Sequence, residues 1–224
     1  MANETVVSTL VDIALRRIRE DILRGVHVAG SKLRVEDLRN KYDIGASPLR
    51  EALSRLVSYG LVTSEGQKGF RVASISEKDI RDITSTRKLL EHAALKESLK
   101  NGDLNWEKDL IKAYENLDRQ HYELSKNYGE TVDTWEEAND QFHDALVSRC
   151  KSEWILNFRK IIYDQATRYR RSLILNHQEE RRAHDDHSQM LEAALSYDIE
   201  MSCKLVDKHA DAQLANTLLE LQLL

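Results

Sequence analysis

Three histidines and an asparagine are the first candidates for chemistry among the 224 residues. Asn139 and His143, in "WEEANDQFHDAL", are four apart and share one face of a helix. His187, in "HDDHSQMLEAAL", and His209, in "VDKHADAQ", fall in two later segments of helical periodicity. Three imidazoles and one oxygen ligand converging inside a bundle would hold a borderline divalent cation, with zinc, nickel and manganese all compatible. Three histidines also describe the zinc site of a metal-dependent hydrolase. Against that alternative, no Asp or Glu stands in a general-base relation to them as in HExxH, and no nucleophile motif occurs. The plainest alternative is three unrelated surface or capping histidines out of eight, since His121, His177 and His184 lie near by in the chain.

A second group is basic. In "IGASPLREALSRLVSYGLV", residues 44–62, a small-residue turn leads through Ser47 and Pro48 into an amphipathic helix that carries Arg50 and Arg55. Basic groups at a helix N-terminus oppose the macrodipole, so a helix that only packs has little use for them there. A helix that enters a DNA groove meets base edges and phosphates at that end. Arg34 and Arg39 on the preceding segment, with Gln67, Lys68 and Gly69 in the turn that follows, are placed to touch backbone or minor groove. Singly, each arginine also fits a solvated surface, and Arg50, Glu51 and Arg55 could form an intrahelical salt-bridge set.

The elements that must position these groups follow from periodicity. "VVSTLVDIALRRIREDILRG" is apolar at Val7, Leu10, Val11, Ile13, Ala14, Ile18, Ile22 and Leu23, with Gly25 as its stop. After the turn "VAGSKL", "RVEDLRNKYDI" forms a short second helix with Val35, Leu38 and Tyr42 on one face. The third opens at Ser47 as cap and Pro48 as first helical residue, and buries Leu49, Ala52, Leu53, Leu56 and Val57. Leu61–Thr63 and Phe70–Val72 are strand-like runs around the polar turn at 65–69. Three helices and a hairpin make a winged helix-turn-helix over residues 1–75. From residue 76 to 224 no strand pattern occurs: a helix carries Ile80, Ile83, Leu89, Leu90, Ala93 and Ala94, and further helices span about 104–127, 131–149, 152–175, 178–197 and 199–222. The expected fold is therefore mainly α, a winged helix-turn-helix followed by an all-helical antiparallel bundle.

Composition agrees. Residues 1–75 hold 12 Lys and Arg against 9 Asp and Glu, whereas the remainder holds 21 against 29, so a basic head precedes an acidic body. One proline and eight glycines leave long helices unbroken. No apolar run is long enough for a membrane span, the N-terminus lacks a secretion signal, and two cysteines in no metal-like spacing point to a reduced, cytoplasmic setting.

The segment "AGSKLRVEDLRNKYDIGASPLREALSRLVSYGLVTSEGQKGFRVA" resembles the winged-helix domain of the GntR family of bacterial transcription regulators. The body resembles the FCD ligand-binding domain of the FadR subgroup: "RKLLE" (Arg87 to Glu91), "NDQFH", and the two late histidines in "HSQMLEAALSYDIEMSCKLVDKH" carry the likeness. The resemblance covers residues 8–215 or so and implies a homodimeric regulator, a repressor or an activator, on double-stranded palindromic operator DNA. It implies a metal held by Asn139, His143, His187 and His209, and a small carboxylic acid, such as a dicarboxylate, as effector. Arg87 would pair with the acid's carboxylate through two parallel bonds; an ion pair with Glu91 would hold it equally well. Tyr169 and Arg170, in "ATRYRRSL", would wall the cavity. Two departures stand out. The oxygen ligand is Asn139 where the subgroup often has aspartate, and Asp140 is turned about 100° around the helix from it. Ala46 replaces an arginine that many relatives carry at the recognition helix, so one base contact is missing.

Overall fold

A computed structural model describes residues 8–64, 66, 69–172 and 177–222, with the side chains of residues 128–129, 172 and 177–184 left aside. Its elements fall into two compact units. One holds residues up to Ser76 together with Thr167–Ser172, and the other holds Glu77–Ala166 and the chain after residue 172.

In the first unit α1 (Leu10–Leu23), β1 (Lys32–Leu33), α2 (Val35–Tyr42), α3 (Ala46–Ser58), β2 (Val62–Ser64) and β3 (Phe70–Val72) follow one another. Helix α1 starts on a reciprocal cap: Thr9 Oγ1 accepts from the Asp12 amide, and Asp12 Oδ2 accepts from the Thr9 amide, each at 3.2 Å. It stops at Gly25, whose φ of 74° is open to glycine at little cost. Helices α2 and α3 pack on α1 through Leu38, Tyr42, Leu49, Ala52, Leu53 and Leu56, which meet Ala14, Ile18 and Ile22 in one core.

Two details of the sequence reading change here. Helix α3 begins at Ala46 with Gly45 as its N-cap, so Ser47 and Pro48 sit inside the first turn and Ser47 is not the cap. Pro48 is tolerated there because first-turn N–H groups have no intrahelical acceptor. The wing also has three strands in the order β1-β3-β2, all antiparallel, with Leu33 opposite Phe70 and Thr63 opposite Arg71. The two residues of β1 lie in what reads from sequence as a turn; so short a strand has no periodicity to detect.

The second unit is built of α4 (Glu77–Asn101), α5 (Leu104–Lys126), α6 (Tyr128–Leu146), α7 (Glu153–Ser172, its last six residues grouped with the first unit), α8 (His177–Leu195) and α9 (Ile199–Leu221). The stretch "NYGE", which looks like a connection, is almost wholly helical: only Asn127 separates α5 from α6. Trp106, Leu110, Leu117, Phe142, Met190 and Val206 lie in its apolar core. Helix α4 buries Ile80, Ile83 and Ala94 as expected but departs from the pattern at two positions. Leu89 is 72% exposed, and Ala93 is exposed too, while Arg87 and Glu91 are each 4% exposed. Those inward charges border the candidate site.

Candidate functional site

His143 on α6, His187 on α8 and His209 on α9 converge, each at most 3% exposed. One ring nitrogen of each lies within 4.8 Å of the others. The Nε2 atoms of His143 and His187 are 3.3 Å apart, and the ring centroids of His187 and His209 are 4.8 Å apart. Burial first, and then the neighbouring His187, His209, Arg87 and Arg159, push the His143 imidazole well below its ordinary value. It is therefore neutral, the form whose lone pair binds a metal.

The donor set fits a divalent cation. Asn139, 1% exposed and one turn before His143, donates from Nδ2 to the Tyr163 hydroxyl at 3.0 Å, and its Oδ1 is buried without a hydrogen-bond partner. An orphaned buried carbonyl beside three imidazoles is the fourth donor that a divalent cation would use. Asp140, by contrast, faces Lys160, with Nζ to Oδ2 at 3.8 Å. Asp186 supports the set from behind. Its Oδ2 is 3.6 Å from His209 Nδ1. Burial raises this carboxyl, but hydrogen bonds from His209 and Lys208 outweigh it and hold Asp186 below the ordinary carboxylate range. A carboxylate behind an imidazole fixes which ring nitrogen keeps its proton.

Arg87 borders the cluster. Its Nη1 donates to Gln213 Oε1 at 2.7 Å, and its guanidinium lies over the Tyr163 ring at 4.7 Å. Of the two fates left open for Arg87, the ion pair with Glu91 is long, 3.8 Å from Nε to Oε1. Glu91 pairs mainly with Arg159, whose Nε donates to Oε2 at 2.9 Å while Nη2 donates to the His143 carbonyl at 2.9 Å. Gln213 completes the circle, its Nε2 standing 2.8 Å from His209 Nε2.

Tyr169 and Arg170 do not join this cluster. The Tyr169 hydroxyl accepts from the Ser76 amide at 2.8 Å and meets the Ser76 carbonyl at 3.2 Å, within the first unit, and Arg170 Nη2 stands 3.4 Å from Thr167 Oγ1. The tyrosine at the cluster is Tyr163. Six residues separate the two, which carries Tyr169 about 9 Å further along α7 and about 240° around it. Tyr163, Arg159, Asp186 and Gln213 were not singled out from sequence, and Glu91 was named only as an ion-pair partner for Arg87. Asp186 directly precedes His187 and Gln213 lies one turn after His209, the two signals that spacing offered.

On the first unit, Arg34, Ser47 and Arg50 are exposed, and among the described residues their side chains have no hydrogen-bond or ion-pair partner. Arg39 pairs with Glu36 at 2.9 Å, and Arg55 pairs with Glu51 at 2.7 Å and with Asp12 at 3.3 Å. The salt-bridge set on α3 is thus Glu51 with Arg55, and Arg50 is outside it. Gly69 has a φ of 95° at the wing, a conformation that favours glycine. Gln67 and Lys68 lie outside the described residues.

A winged helix-turn-helix carried with a helical ligand-binding domain defines a DNA-binding transcription regulator under small-molecule control. Residues 11–72 match "Bacterial regulatory proteins, gntR family" and residues 82–212 match the FCD domain. The chain belongs to the GntR family, and it is a regulator rather than an enzyme. It is 36% identical over 209 residues to the HTH-type transcriptional regulator BphR of Paraburkholderia xenovorans, covering 93% of this chain and 85% of that one. With the HTH-type transcriptional repressor GlaR of Escherichia coli it shares 34% over 198 residues, 87% of this chain and 89% of that one. E. coli McbR/YncC has the same fold, with a TM-score of 0.79 at 19% identity over 96% of this chain and 98% of that one. The hydrolase alternative finds no support in these relatives. Among the described residues no helix is long and apolar enough to cross a membrane.

Proposed function

We propose that this protein is a homodimeric repressor whose grip on a palindromic operator is set by a small carboxylic acid bound beside a metal ion. One observation carries the reading: three buried imidazoles share a centre, and a buried guanidinium reaches the same group of side chains through Gln213. His143, His187 and His209, with Asn139 Oδ1 as the fourth donor, would hold a divalent cation, and zinc suits a set of three imidazoles and one oxygen best. When bound, the cation supplies a Lewis-acid centre that attracts a carboxylate oxygen. Arg87 supplies the matching donor, and a second carboxylate on the acid would add selectivity for dicarboxylates. Arg50 and Ser47 would meet base edges, and Arg34 and the wing around Gly69 would meet the backbone. The regulator's acid would weaken DNA binding only by its preference for the non-binding arrangement. Repression is supported by the name of the E. coli relative.

A gel shift of the zinc-loaded protein on its own promoter tests this, with a panel of dicarboxylates and sugar acids added in turn. Specific binding that one acid releases, with the response lost in His143→Ala and Arg87→Met, is the expected outcome. Zinc content unchanged by His143→Ala, or a response untouched by Arg87→Met, would sink the assignment.

A further inference from the structure

Gln213 lies on α9 one turn after His209, and its carboxamide spans the two groups to which the acid is assigned above. The hydrogen bonds fix its orientation. A guanidinium can only donate, so the atom facing Arg87 Nη1 at 2.7 Å is the amide oxygen. The NH2 group then faces His209 Nε2 at 2.8 Å, and it must donate to a lone pair there. His209 therefore carries its proton on Nδ1, toward Asp186. Nothing in this chain of donors and acceptors is left mismatched.

We propose that the Gln213 carboxamide is a built-in placeholder for the effector's carboxylate. The claim rests on the reading of Arg87 as the acid's anchor. A carboxamide and a carboxylate have the same planar shape and differ in one terminal atom. Against a bare His209 lone pair, the amide NH2 is complementary and a carboxylate oxygen is repelled. Once a cation sits on that lone pair the preference reverses: the NH2 faces a positive charge, and an oxygen fits. Metal uptake thus evicts the amide from His209 and leaves a place, still bordered by Arg87, that an acid completes. Acid binding is then conditional on the metal, and by reciprocity the acid tightens the metal. Gln213 also sets specificity, because an entering acid must better an internal competitor that is always present at high effective concentration.

The test uses the full-length protein and two probes, zinc and acetate. Gln213→Ala deletes the atoms of one acetamide, a volume that acetate fits. With zinc loaded, acetate is expected to stabilise Gln213→Ala against thermal unfolding at a concentration at least tenfold below that needed for the wild type. Adding Arg87→Met to that variant should abolish the effect. Gln213→Glu, a second variant that keeps the side-chain length, should bind zinc at least tenfold tighter than the wild type and no longer respond to added acid. If a dicarboxylate stabilises the wild type through Arg87 while acetate leaves Gln213→Ala unmoved and Gln213→Glu binds zinc as the wild type does, the placeholder is wrong and the acid site stands. If neither acetate on Gln213→Ala nor any dicarboxylate on the wild type has an effect, the acid site falls and the placeholder with it.

Discussion

Removing the Arg159 guanidinium should unsettle the bundle more than any single surface change. Arg159 is 3% exposed and ties α7 to Glu91 of α4, and to both the His143 carbonyl and the Asp144 carboxylate of α6. Burial alone would lower its pKa, but Glu91 and Asp144 outweigh burial and raise it, so the group is charged throughout. In Arg159→Met, Glu91 remains buried with Arg87 at 3.8 Å as its nearest counter-charge. Breaking one side of a buried pair costs about 3–5 kcal/mol. The Asp144 arm adds about 0–1 kcal/mol at most, because that carboxylate is half exposed and screened. For a chain of this size the loss lowers Tm by about 6–20 °C. Scanning calorimetry of the metal-free protein measures it, with Glu91→Gln and the double variant alongside. Glu91→Gln in the Arg159→Met background should recover part of the loss, since an amide needs no counter-charge, giving a coupling of about 0.5–3 kcal/mol. A loss under about 1 kcal/mol, or strict additivity of the two changes, would refute the account of Glu91 and Arg159 as one buried unit.

Arg50→Ala should weaken operator binding by about 1–3 kcal/mol in a gel shift, whereas Arg55→Ala, its guanidinium already committed to Glu51 and Asp12, should leave affinity within a factor of about two; the reverse ranking would move the DNA contact to Arg55. Leu53→Ala, at a fully buried position of the first core, should cost about 2–5 kcal/mol and abolish operator binding while zinc uptake at the histidines persists, and an unchanged melting profile would contradict the assigned core. Burial raises the Asp21 carboxyl, but hydrogen bonds from Lys41 and Tyr42 outweigh it and hold it below its ordinary 3.8. A depressed carboxylate means the unfolded chain takes up the proton first, so this stabilisation is complete above pH 3.8 and is lost as pH falls below it through the folded value. Asp21→Asn should therefore flatten the acid limb of the urea midpoint against pH, and an unaltered limb would discount the Asp21 contacts.

The helices were legible because each buries a stripe at 3.6-residue spacing, as Ala14, Ile18 and Ile22 do on α1. Their polarity was less so. On α4 the pattern led to Leu89 and Ala93 as core, yet the bundle turns Arg87 and Glu91 inward, where Gln213 and Arg159 on other helices each supply a hydrogen bond. Partners 68 and 126 residues away leave no local trace. The histidines were found by type and spacing. Their supporting groups lay beyond that method: Tyr169 and Tyr163 look alike in the chain, and only the helix's rotation separates them. Ser47 was misread because it stands two positions past the true cap, Gly45, a difference that sequence does not resolve.

The inward charges of α4 also bear on protein engineering. A builder who wished to move this sensing bundle onto a different DNA-reading head would be tempted to trim it to the helices that bear histidine. Any excision that omitted α7 would strand Glu91 in a dry interior, and α4 would then gain by rolling over to hide Leu89 instead. The six helices are thus an indivisible cassette, to be transplanted whole or left where they are.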